Sequence, residues 1–262
     1  MTSIAFVCAS NNAQILQHNL QASPCIAAAA HPLCVIPDAP SASRAYNAGL
    51  DRTDADIVVF THHDVYLPLG WDDLLRQRIA EVAAIDPNWA LIGAFGIGLD
   101  GAEYGPVWSS SLGFIAGRVT MRPQPVQSFD ELLFVMRRDS GLRFDEGVMG
   151  FHMYGTDIVC QARNKGFGAY ATSLPVIHND GFKDALDDSF TQAFHAMRRK
   201  WPQFLPIRTP VIKIASHGLH LHRDRWRLKR ARDIRQTMTQ PVQTDPRDYA
   251  ARCGWMDLRP CI

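Results

Sequence analysis

The first 95 residues alternate short, wholly apolar segments with segments of helical character, and this alternation limits the fold more than any other feature. The apolar segments are uninterrupted, which is typical of strands covered on both faces. The clearest helical segment is 70–85, where apolar residues fall on one face. Strands are predicted at 4–9, 33–36, 56–61 and 89–95, and the other helices near 15–20 and 41–50. This order predicts an α/β fold with a doubly wound, mostly parallel central sheet flanked by helices.

The remaining sequence is less regular. Residues 96–128 are rich in Gly, Ser and Pro, with one strand-like piece at 114–121. Further strands are predicted at 132–136 and 169–177, and helices at 156–165 and 189–201. With 262 residues, 47% of them apolar, the chain can bury a large core. We predict one domain over 1–210 and a helical C-terminal extension over 211–262, loosely ordered after residue 240.

Composition and motifs exclude several classes of protein. A net charge of +1 with 20% charged residues argues against disorder and against a nucleic-acid-binding surface. The sequence has no Cys-x-x-Cys pair, no P-loop and no dinucleotide-binding glycine motif. It has no basic, apolar leader and no apolar stretch near the roughly 20 residues of a membrane span. We therefore expect a reduced, cytoplasmic protein that does not bind nucleic acid.

Polar side chains follow two of the predicted strands. His62, His63 and Asp64 come directly after the strand at 56–61, and His178 ends the strand at 169–177. Ligands of open α/β sheets bind at the carboxyl ends of strands. A carboxylate there suits Mg²⁺ or Mn²⁺, and His178 is a candidate further ligand. The alternative is that the histidines bind loop backbone and Asp64 caps a turn.

Asp157 stands at the start of the helix predicted at 156–165. Its structural role would be to favour the helix dipole, with Thr156 as the N-cap. Its functional role would be that of a general base directed from the helix into the site. The dipole favours the ionised carboxylate and so weakens the base, and burial would have to compensate.

Taken in order, these and other pieces resemble family 2 glycosyltransferases of the GT-A fold, and among them the subgroup of the StrF protein of streptomycin biosynthesis. The resemblance spans roughly 3–207. The matching pieces are Ala9-Ser10-Asn11-Asn12, Ala45-Tyr46-Asn47-Ala48-Gly49, the stretch 57–71, Phe144-Asp145-Glu146, Gly150-Phe151-His152-Met153-Tyr154, Asp157 with Gln161-Ala162-Arg163, Lys165-Gly166-Phe167, Val176-Ile177-His178 and Lys200-Trp201.

The resemblance implies transfer of a sugar, with inversion, from a nucleoside diphosphate donor to an acceptor hydroxyl. UDP-sugars are the expected donors and Mn²⁺ or Mg²⁺ the expected cofactor. The family's Asp-x-Asp motif falls on 62–64, so His62 replaces the first carboxylate. The implied metal ligands are Asp64, His178 and His62. The implied donor-binding residues are Ser10, Asn11, Asp38, Asn47, His62, His63 and Asp64.

One departure from the family pattern concerns the general base. Relatives usually carry an acidic residue where this chain has Gly155, and that acid is the expected base. Its absence leaves Asp157 as the first candidate, followed by Glu146, Asp145 and Asp130. Two alternatives stay open. Gly155 and the replacement at His62 suggest a non-catalytic relative that binds sugar nucleotides. Residues 62–64 taken alone suggest a His/Asp metallohydrolase.

A basic segment, which we call the C-terminal arm, covers residues 217–240. Seven Arg or Lys residues stand there against two Asp residues, so the arm carries +5 and the remaining chain −4. As a helix the arm would be amphipathic. It is predicted either to fold back on the catalytic domain or to meet anionic lipid headgroups or a phosphate-bearing acceptor. In the second case the protein would lie peripherally on the inner face of the membrane.

Overall fold

The computed structural model describes residues 2–182, 186–242 and 245–259. The strands are β1 Ile4–Ser10, β2 Leu33–Pro37, β3 Ile57–His62, β4 Val65–Tyr66, β5 Trp89–Gly93, β6 Gly96–Gly98, β7 Glu103–Tyr104, β8 Val107–Ser109, β9 Phe114–Ala116, β10 Gln124–Phe129, β11 Leu133–Arg137, β12 Gly168–Ala171, β13 Val176–His178, β14 Ile207–Arg208 and β15 Lys213–Ile214. The helices are α1 Ala13–His18, α2 Pro24–Ala27, α3 Ala42–Leu50, α4 Trp71–Ile85, α5 Tyr154–Asn164, α6 Asp188–Lys200, α7 Leu219–Arg230, α8 Arg232–Met238 and α9 Arg247–Arg252. Single 3-10 turns lie at Leu20–Ala22, Arg138–Ser140 and Pro202–Phe204.

Within the described ranges, a nine-stranded sheet forms the centre of the molecule, in the order β2-β1-β3-β11-β5-β12-β10-β6-β7. Six of these strands point the same way, and β11, β10 and β7 run against them. Helices cover both faces. One core contains side chains of α3, α5 and α6, and the other contains side chains of α1, α2 and α4. The predicted α/β fold with a central, mostly parallel sheet between helices is confirmed.

The order of the strands differs from a simple doubly wound sheet. The strand β11 lies between β3 and β5 and is antiparallel to both. The segment predicted as one strand at 169–177 is two strands, because the chain leaves the main sheet after Ala171. Its second half, β13, joins a smaller sheet of order β4-β13-β8-β9. This change of sheet carries His178 back beside the end of β3.

Helix α3 approaches the central sheet very closely at Gly49. A Cβ atom added to Gly49 would lie 2.1 Å from Cγ1 of Val7, in the middle of β1. Real carbon atoms cannot approach so closely, so the helix sits at this depth only because residue 49 has no side chain. The contact fixes the distance between α3 and the strand that ends at Ser10.

The C-terminal residues are more ordered than the sequence indicates. Helix α9 lies in the segment 241–262, which was predicted to be loosely ordered, and its Tyr249 is fully buried. The Tyr249 ring stacks on Trp108 with centroids 4.8 Å apart, and its hydroxyl donates to the carbonyl of Pro241 at 2.6 Å. The predicted boundary between 1–210 and 211–262 stays a prediction. In the part of the chain that is described, no helix is long and apolar enough to cross a membrane.

Candidate metal and nucleotide site

The carboxyl ends of β1 and β3 meet at one edge of the main sheet. The two strands are parallel, with Ala9 opposite His62, so Ser10 and His63 leave the sheet side by side. The hydroxyl of Ser10 lies 3.0 Å from Nδ1 of His63. Asp64 follows in the tight turn between β3 and β4. This edge is where ligands of α/β sheets bind.

Strand β13 adds a third polar side chain to this edge. It pairs antiparallel with β4, placing His178 opposite Val65, and the N–H of the next residue, Asn179, donates to the carbonyl of Asp64 at 2.9 Å. Nε2 of His178 is 3.4 Å from Oδ1 of Asp64, and Nδ1 of His62 is 3.9 Å from the same oxygen. Among the described residues, one ligand atom from each of these three side chains lies within 4.8 Å of the others.

The geometry of this cluster fits a bound cation. Oδ1 of Asp64 and Nε2 of His178 are both buried and have no hydrogen-bond partner in the described part of the protein. Buried polar atoms are nearly always satisfied, and an orphaned acceptor costs about 1–3 kcal/mol. A cation held between them would satisfy both atoms. Two imidazoles and one carboxylate suit a transition ion such as Mn²⁺ better than Mg²⁺, which prefers oxygen ligands alone.

Without a cation, the cluster holds its charges as an ion pair. Burial disfavours ionised Asp64, but the charges of His178, His62 and His63 outweigh burial and hold the pKa of this carboxyl far below its usual range. Burial also disfavours protonated His178, but Asp180 and then Asp64 raise the pKa of this imidazole to about 9. The site is therefore built around an ionised Asp64.

A buried carboxylate behind His178 orients the imidazole. Asp180 accepts hydrogen bonds from the hydroxyl of Ser109 at 2.9 Å and the N–H of Ser111 at 3.1 Å. Its Oδ1 lies 3.8 Å from Nδ1 of His178, on the side of the ring away from Asp64. A carboxylate in this position favours the proton on Nδ1, which leaves Nε2 to bind a cation.

A tyrosine orients His62 in a similar way. The hydroxyl of Tyr154, at the start of α5, donates to the carbonyl of Glu131 at 3.0 Å. Since a phenol has one proton, it accepts from His62, whose Nε2 is 2.9 Å away. His62 then carries its proton on Nε2, and Nδ1 turns its lone pair towards Asp64. In the neutral forms that bind a cation, both histidines would therefore direct an unprotonated nitrogen to a position beside the same carboxylate oxygen.

The other predicted donor-binding residues are spread more widely. Asn11 and Asp38 are exposed loop residues after β1 and β2, close together because the N–H of Asp38 donates to the carbonyl of Ser10 at 3.0 Å. Asn47 is buried and ties α3 to the loop 141–153, donating to the carbonyl of Phe144 at 2.9 Å and to Oε1 of Glu146 at 3.1 Å. These contacts give Asn47 a structural role and place Asn11 and Asp38 on the open rim.

The first predicted base, Asp157, lies in the interior. It is 1% exposed and accepts from the indole N–H of Trp201 at 2.7 Å, the ammonium of Lys200 at 2.8 Å and the amide of Gln161 at 2.8 Å. A general base needs an open path to the substrate hydroxyl, and these contacts close that path. Asp157 is therefore a structural carboxylate in this fold.

Among the described residues, Glu146 and Asp145 contact basic side chains and not the cluster of His62, Asp64 and His178. The carboxylate of Glu146 is half exposed and faces Arg44 of α3 at 3.5 Å, while Asp145 pairs with Lys200. The Lys200 ammonium, helped by the N–H of Gly147, holds the pKa of Asp145 below its usual range against partial burial. Both acids therefore belong to the loop that packs α3 against α5 and α6.

Asp130 lies closer to the cluster. It starts the turn between β10 and β11, accepts the N–H of Leu132 at 3.1 Å, and adds its negative charge to those that raise the pKa of His178. The sequence arguments missed three neighbours of the cluster, namely Glu131, Tyr154 and Asp180. Glu131 follows Asp130, Tyr154 precedes Gly155, and Asp180 comes two residues after His178. Their position near these candidate residues, at the end of a strand or the start of a helix, was the available sequence signal.

No family model matches the chain. Among curated proteins the chain is similar to one from Fuscovulum blasticum named "ATP synthase subunits region ORF 6", with 30% identity over 169 residues. The match covers 61% of this chain, and the chain spans 65% of that protein's length. The name refers to a genetic region and states no activity.

The solved structures to which the chain is similar include three proteins crystallised with sugar nucleotides. The mannosyltransferase PcManGT from Pyrobaculum calidifontis, with GDP-Man and Mn²⁺, has a TM-score of 0.44 and 14% identity, and the match covers 77% of this chain and 61% of that chain. Glucosyl-3-phosphoglycerate synthase from Mycobacterium tuberculosis, with Mn²⁺, UDP-Glc and phosphoglyceric acid, has a TM-score of 0.47 and 13% identity, and the match covers 80% of this chain and 82% of that chain. Residues 1–349 of S. aureus TarS, with UDP-GlcNAc, have a TM-score of 0.45 and 10% identity, and the match covers 75% of this chain and 65% of that chain. All three are similarities of fold at low sequence identity.

Proposed function

We propose that this protein is a metal-dependent, inverting glycosyltransferase of the GT-A type, using a nucleoside diphosphate sugar as donor. The observation that carries the proposal is the cluster of His62, Asp64 and buried His178 at the carboxyl edge of β1 and β3. Within it, Oδ1 of Asp64 and Nε2 of His178 lie 3.4 Å apart, and among the described residues neither has a hydrogen-bond partner. The same residues fall on the metal-binding positions of the family that the sequence resembles. A divalent cation bound there supplies positive charge to the diphosphate leaving group.

The chain's own residues divide the remaining work. His62, Asp64 and His178 hold the cation, with their protons directed away from it by Tyr154 and Asp180. Ser10, Asn11 and Asp38 line the rim where the nucleoside would lie, and His63 is fixed beside Ser10. Inversion requires one base, which takes the proton of the acceptor hydroxyl as its oxygen attacks the anomeric carbon.

The test is calorimetric titration of the protein with Mn²⁺ and then with UDP, followed by incubation with UDP-glucose, UDP-N-acetylglucosamine and GDP-mannose. We expect Mn²⁺-dependent UDP binding, which Asp64→Asn should weaken by at least 10-fold. Asp100→Asn, which changes an exposed carboxylate in the loop after β6, should leave it unchanged. Equal affinity of Asp64→Asn and the unchanged protein, or no nucleotide binding at all, would contradict the proposal.

A second candidate function is sugar-nucleotide binding without catalysis. It is favoured by Gly155, which lacks the family's expected base, and by the engagement of Asp157 with Lys200 and Trp201. This candidate predicts tight Mn²⁺–UDP binding with no release of UDP from any donor. Hydrolysis of p-nitrophenyl phosphate without a nucleotide would instead support a His/Asp metallohydrolase.

We also propose that the C-terminal arm, 217–240, contacts anionic lipid headgroups. Helix α7 is docked on the body by buried Leu221 and by Arg225, which donates to the carbonyls of Leu186 and Asp187. Trp226 and Ile234 are 56% and 66% exposed, among exposed arginines. Trp226 belongs to α7 and Ile234 to α8. Exposed apolar side chains among basic ones are typical of helices that lie on anionic membranes.

Co-sedimentation with vesicles of phosphatidylglycerol and phosphatidylcholine tests this contact. The unchanged protein should bind the anionic vesicles and not pure phosphatidylcholine, and binding should fall with added salt. The double variant Trp226→Ala, Ile234→Ser should lose most of the binding while keeping the same melting temperature. Equal binding by the variant would refute the membrane contact. Retention of the chain by a phosphate-bearing acceptor, with no vesicle binding, would point to the acceptor instead.

A further inference from the structure

The end of the C-terminal arm is bonded to a turn of the small sheet. The main-chain N–H of Gln240 donates to the carbonyl of Ser110 at 2.8 Å. The hydroxyl of Thr239 lies 3.0 Å from the carbonyl of Ser111 and equally far from a carbonyl of its own helix, so the two share its proton. Ser110 and Ser111 belong to the turn 110–113, which joins β8 to β9. The arm therefore bonds to two consecutive carbonyls of this turn.

Two further contacts fix the end of the arm against β8 and the turn. A Cβ atom added to Gly113, at the end of the turn, would lie 2.1 Å from the carbonyl oxygen of Met238, so the arm passes this close only because residue 113 has no side chain. Beyond the arm, the ring of Tyr249 stacks on Trp108 of β8, and its hydroxyl donates to the carbonyl of Pro241, the residue that follows the arm. The two hydrogen bonds are thus held in place from both sides.

The same two serines bond to the candidate metal site through their N–H groups. The N–H of Ser110 donates to the carbonyl of His178 at 3.0 Å, and the N–H of Ser111 donates to Oδ1 of Asp180 at 3.1 Å. That carboxylate oxygen lies 3.8 Å from Nδ1 of His178. The turn therefore stands between the arm and a candidate metal ligand, and each serine is bonded to both.

The support that the turn gives to Asp180 matters because this carboxylate is buried. Asp180 is 5% exposed, and a buried carboxylate is stable only when hydrogen bonds or charges satisfy it. Another donor to it, the hydroxyl of Ser109, comes from the residue before the turn. A shift of the turn would displace both donors, and with them the group that orients the imidazole of His178. Removing a group that orients a metal ligand typically lowers metal affinity about 10–100-fold.

We propose that Thr239 and Gln240 are positioning residues for the metal site: they hold the turn 110–113, and through it Asp180 and His178. This inference rests on the metal site of the proposed function. The C-terminal arm thereby has a role in the site besides its contact with lipid. Its end sets the affinity for the cation by acting on the ligand His178 rather than as a ligand.

Calorimetric titration with Mn²⁺ tests the inference. Thr239→Val removes the hydroxyl and should lower Mn²⁺ affinity about 3–10-fold, the usual effect of one hydrogen bond. Thr239→Ser keeps the hydroxyl and should keep the affinity. Gln240→Pro removes the other donor and should act like Thr239→Val, and Thr239 already has the extended conformation that a residue before proline needs. Thr237→Val is the matched control and should keep the affinity, because this hydroxyl donates to the carbonyl of Ile234 at 2.7 Å, within α8.

A double-mutant cycle shows whether Thr239 acts through Asp180. Asp180→Asn should lower Mn²⁺ affinity about 10–100-fold. Adding Thr239→Val to Asp180→Asn should cause less than about a 2-fold further loss, because the carboxylate that the turn positions is already gone. In the metal-free protein, Thr239→Val should speed amide hydrogen exchange in peptides that cover 109–113 and 178–180. Its melting temperature should stay within about 4 °C of that of the unchanged protein.

Three results would overturn the inference: equal Mn²⁺ affinity of Thr239→Val and the unchanged protein, an equal loss in Thr237→Val, or fully additive losses in the cycle. Mn²⁺ binding without UDP binding in the unchanged protein would instead overturn the proposed sugar transfer and leave the inference standing. Absence of Mn²⁺ binding in the unchanged protein would overturn both.

Discussion

Replacing Asp157 with alanine should cost this protein about 3–5 kcal/mol of folding free energy, the range for breaking a buried ion pair. The side chain of Asp157 is 2% exposed, and three donors converge on it. The Trp201 indole N–H would lose its acceptor in a buried position, at about 1–3 kcal/mol. Lys200 would lose a charge-assisted bond worth about 1.5–3 kcal/mol. Part of the latter is offset, because Lys200 also pairs with Asp145 and water reaches its ammonium.

Chemical denaturation followed by tryptophan fluorescence and circular dichroism measures this cost. Asp145→Asn is the matched control, because it removes the exposed partner of the same lysine and should cost only about 0–1 kcal/mol. Asp157→Asn keeps an acceptor for Trp201 and should fall between the two. An Asp157→Ala variant within 1 kcal/mol of the unchanged protein, with lost donor turnover, would refute the structural role and restore Asp157 as the base.

Three further substitutions test other contacts. Gly49→Ala should destabilise the fold by about 1–3 kcal/mol in a denaturant titration, because its methyl would overlap Val7. Gly181→Ala should change little, because none of the described residues has an atom within 4 Å of an added Cβ there. Tyr154→Phe should weaken Mn²⁺ binding measured by calorimetry about 10–100-fold, because His62 loses the partner that fixes its tautomer; unchanged affinity would contradict this. Tyr249→Ala should cost about 3–5 kcal/mol, and a cost near zero would mean that α9 packs loosely.

Features that depend on a local pattern of residues could be predicted from the sequence. Ile57–Phe60 is a continuous apolar run, and it forms a buried strand whose polar exit reaches the sheet edge. Asp64 and His178 were predicted as metal ligands because each stands at the end of a predicted strand, and His62 because the family resemblance implied it; the structure brings the three ligand atoms together. Strand ends mark the edge of the sheet whatever the order of the strands, which is why this prediction needed no topology.

Features that depend on contacts between distant segments could not be predicted from local sequence patterns. Nothing local in residues 133–137 indicates insertion between β3 and β5, or an antiparallel orientation. Asp157 was a candidate base because it stands at the start of a predicted helix. The side chains that bind its carboxylate, Lys200 and Trp201, come from the end of α6 and the residue after it, far away in the chain. The hydrogen bond between the Gly155 N–H and the Glu131 carboxylate likewise joins residues 24 apart in the chain, which no local pattern indicates.

The position of β11 has a consequence for how the chain folds during synthesis. One edge of β3 pairs with β1, and the other edge pairs with β11. This second edge of residues 57–62 is therefore uncovered until residues 133–137 have been synthesised. Until then, the unpaired edge of a largely apolar strand is open to pairing with other chains, which is a common route to aggregation. Pairing across this separation also slows folding, because the intervening loop must close first. We expect nascent chains that end before residue 137 to be held by chaperones, and chains that extend past it to become resistant to proteases.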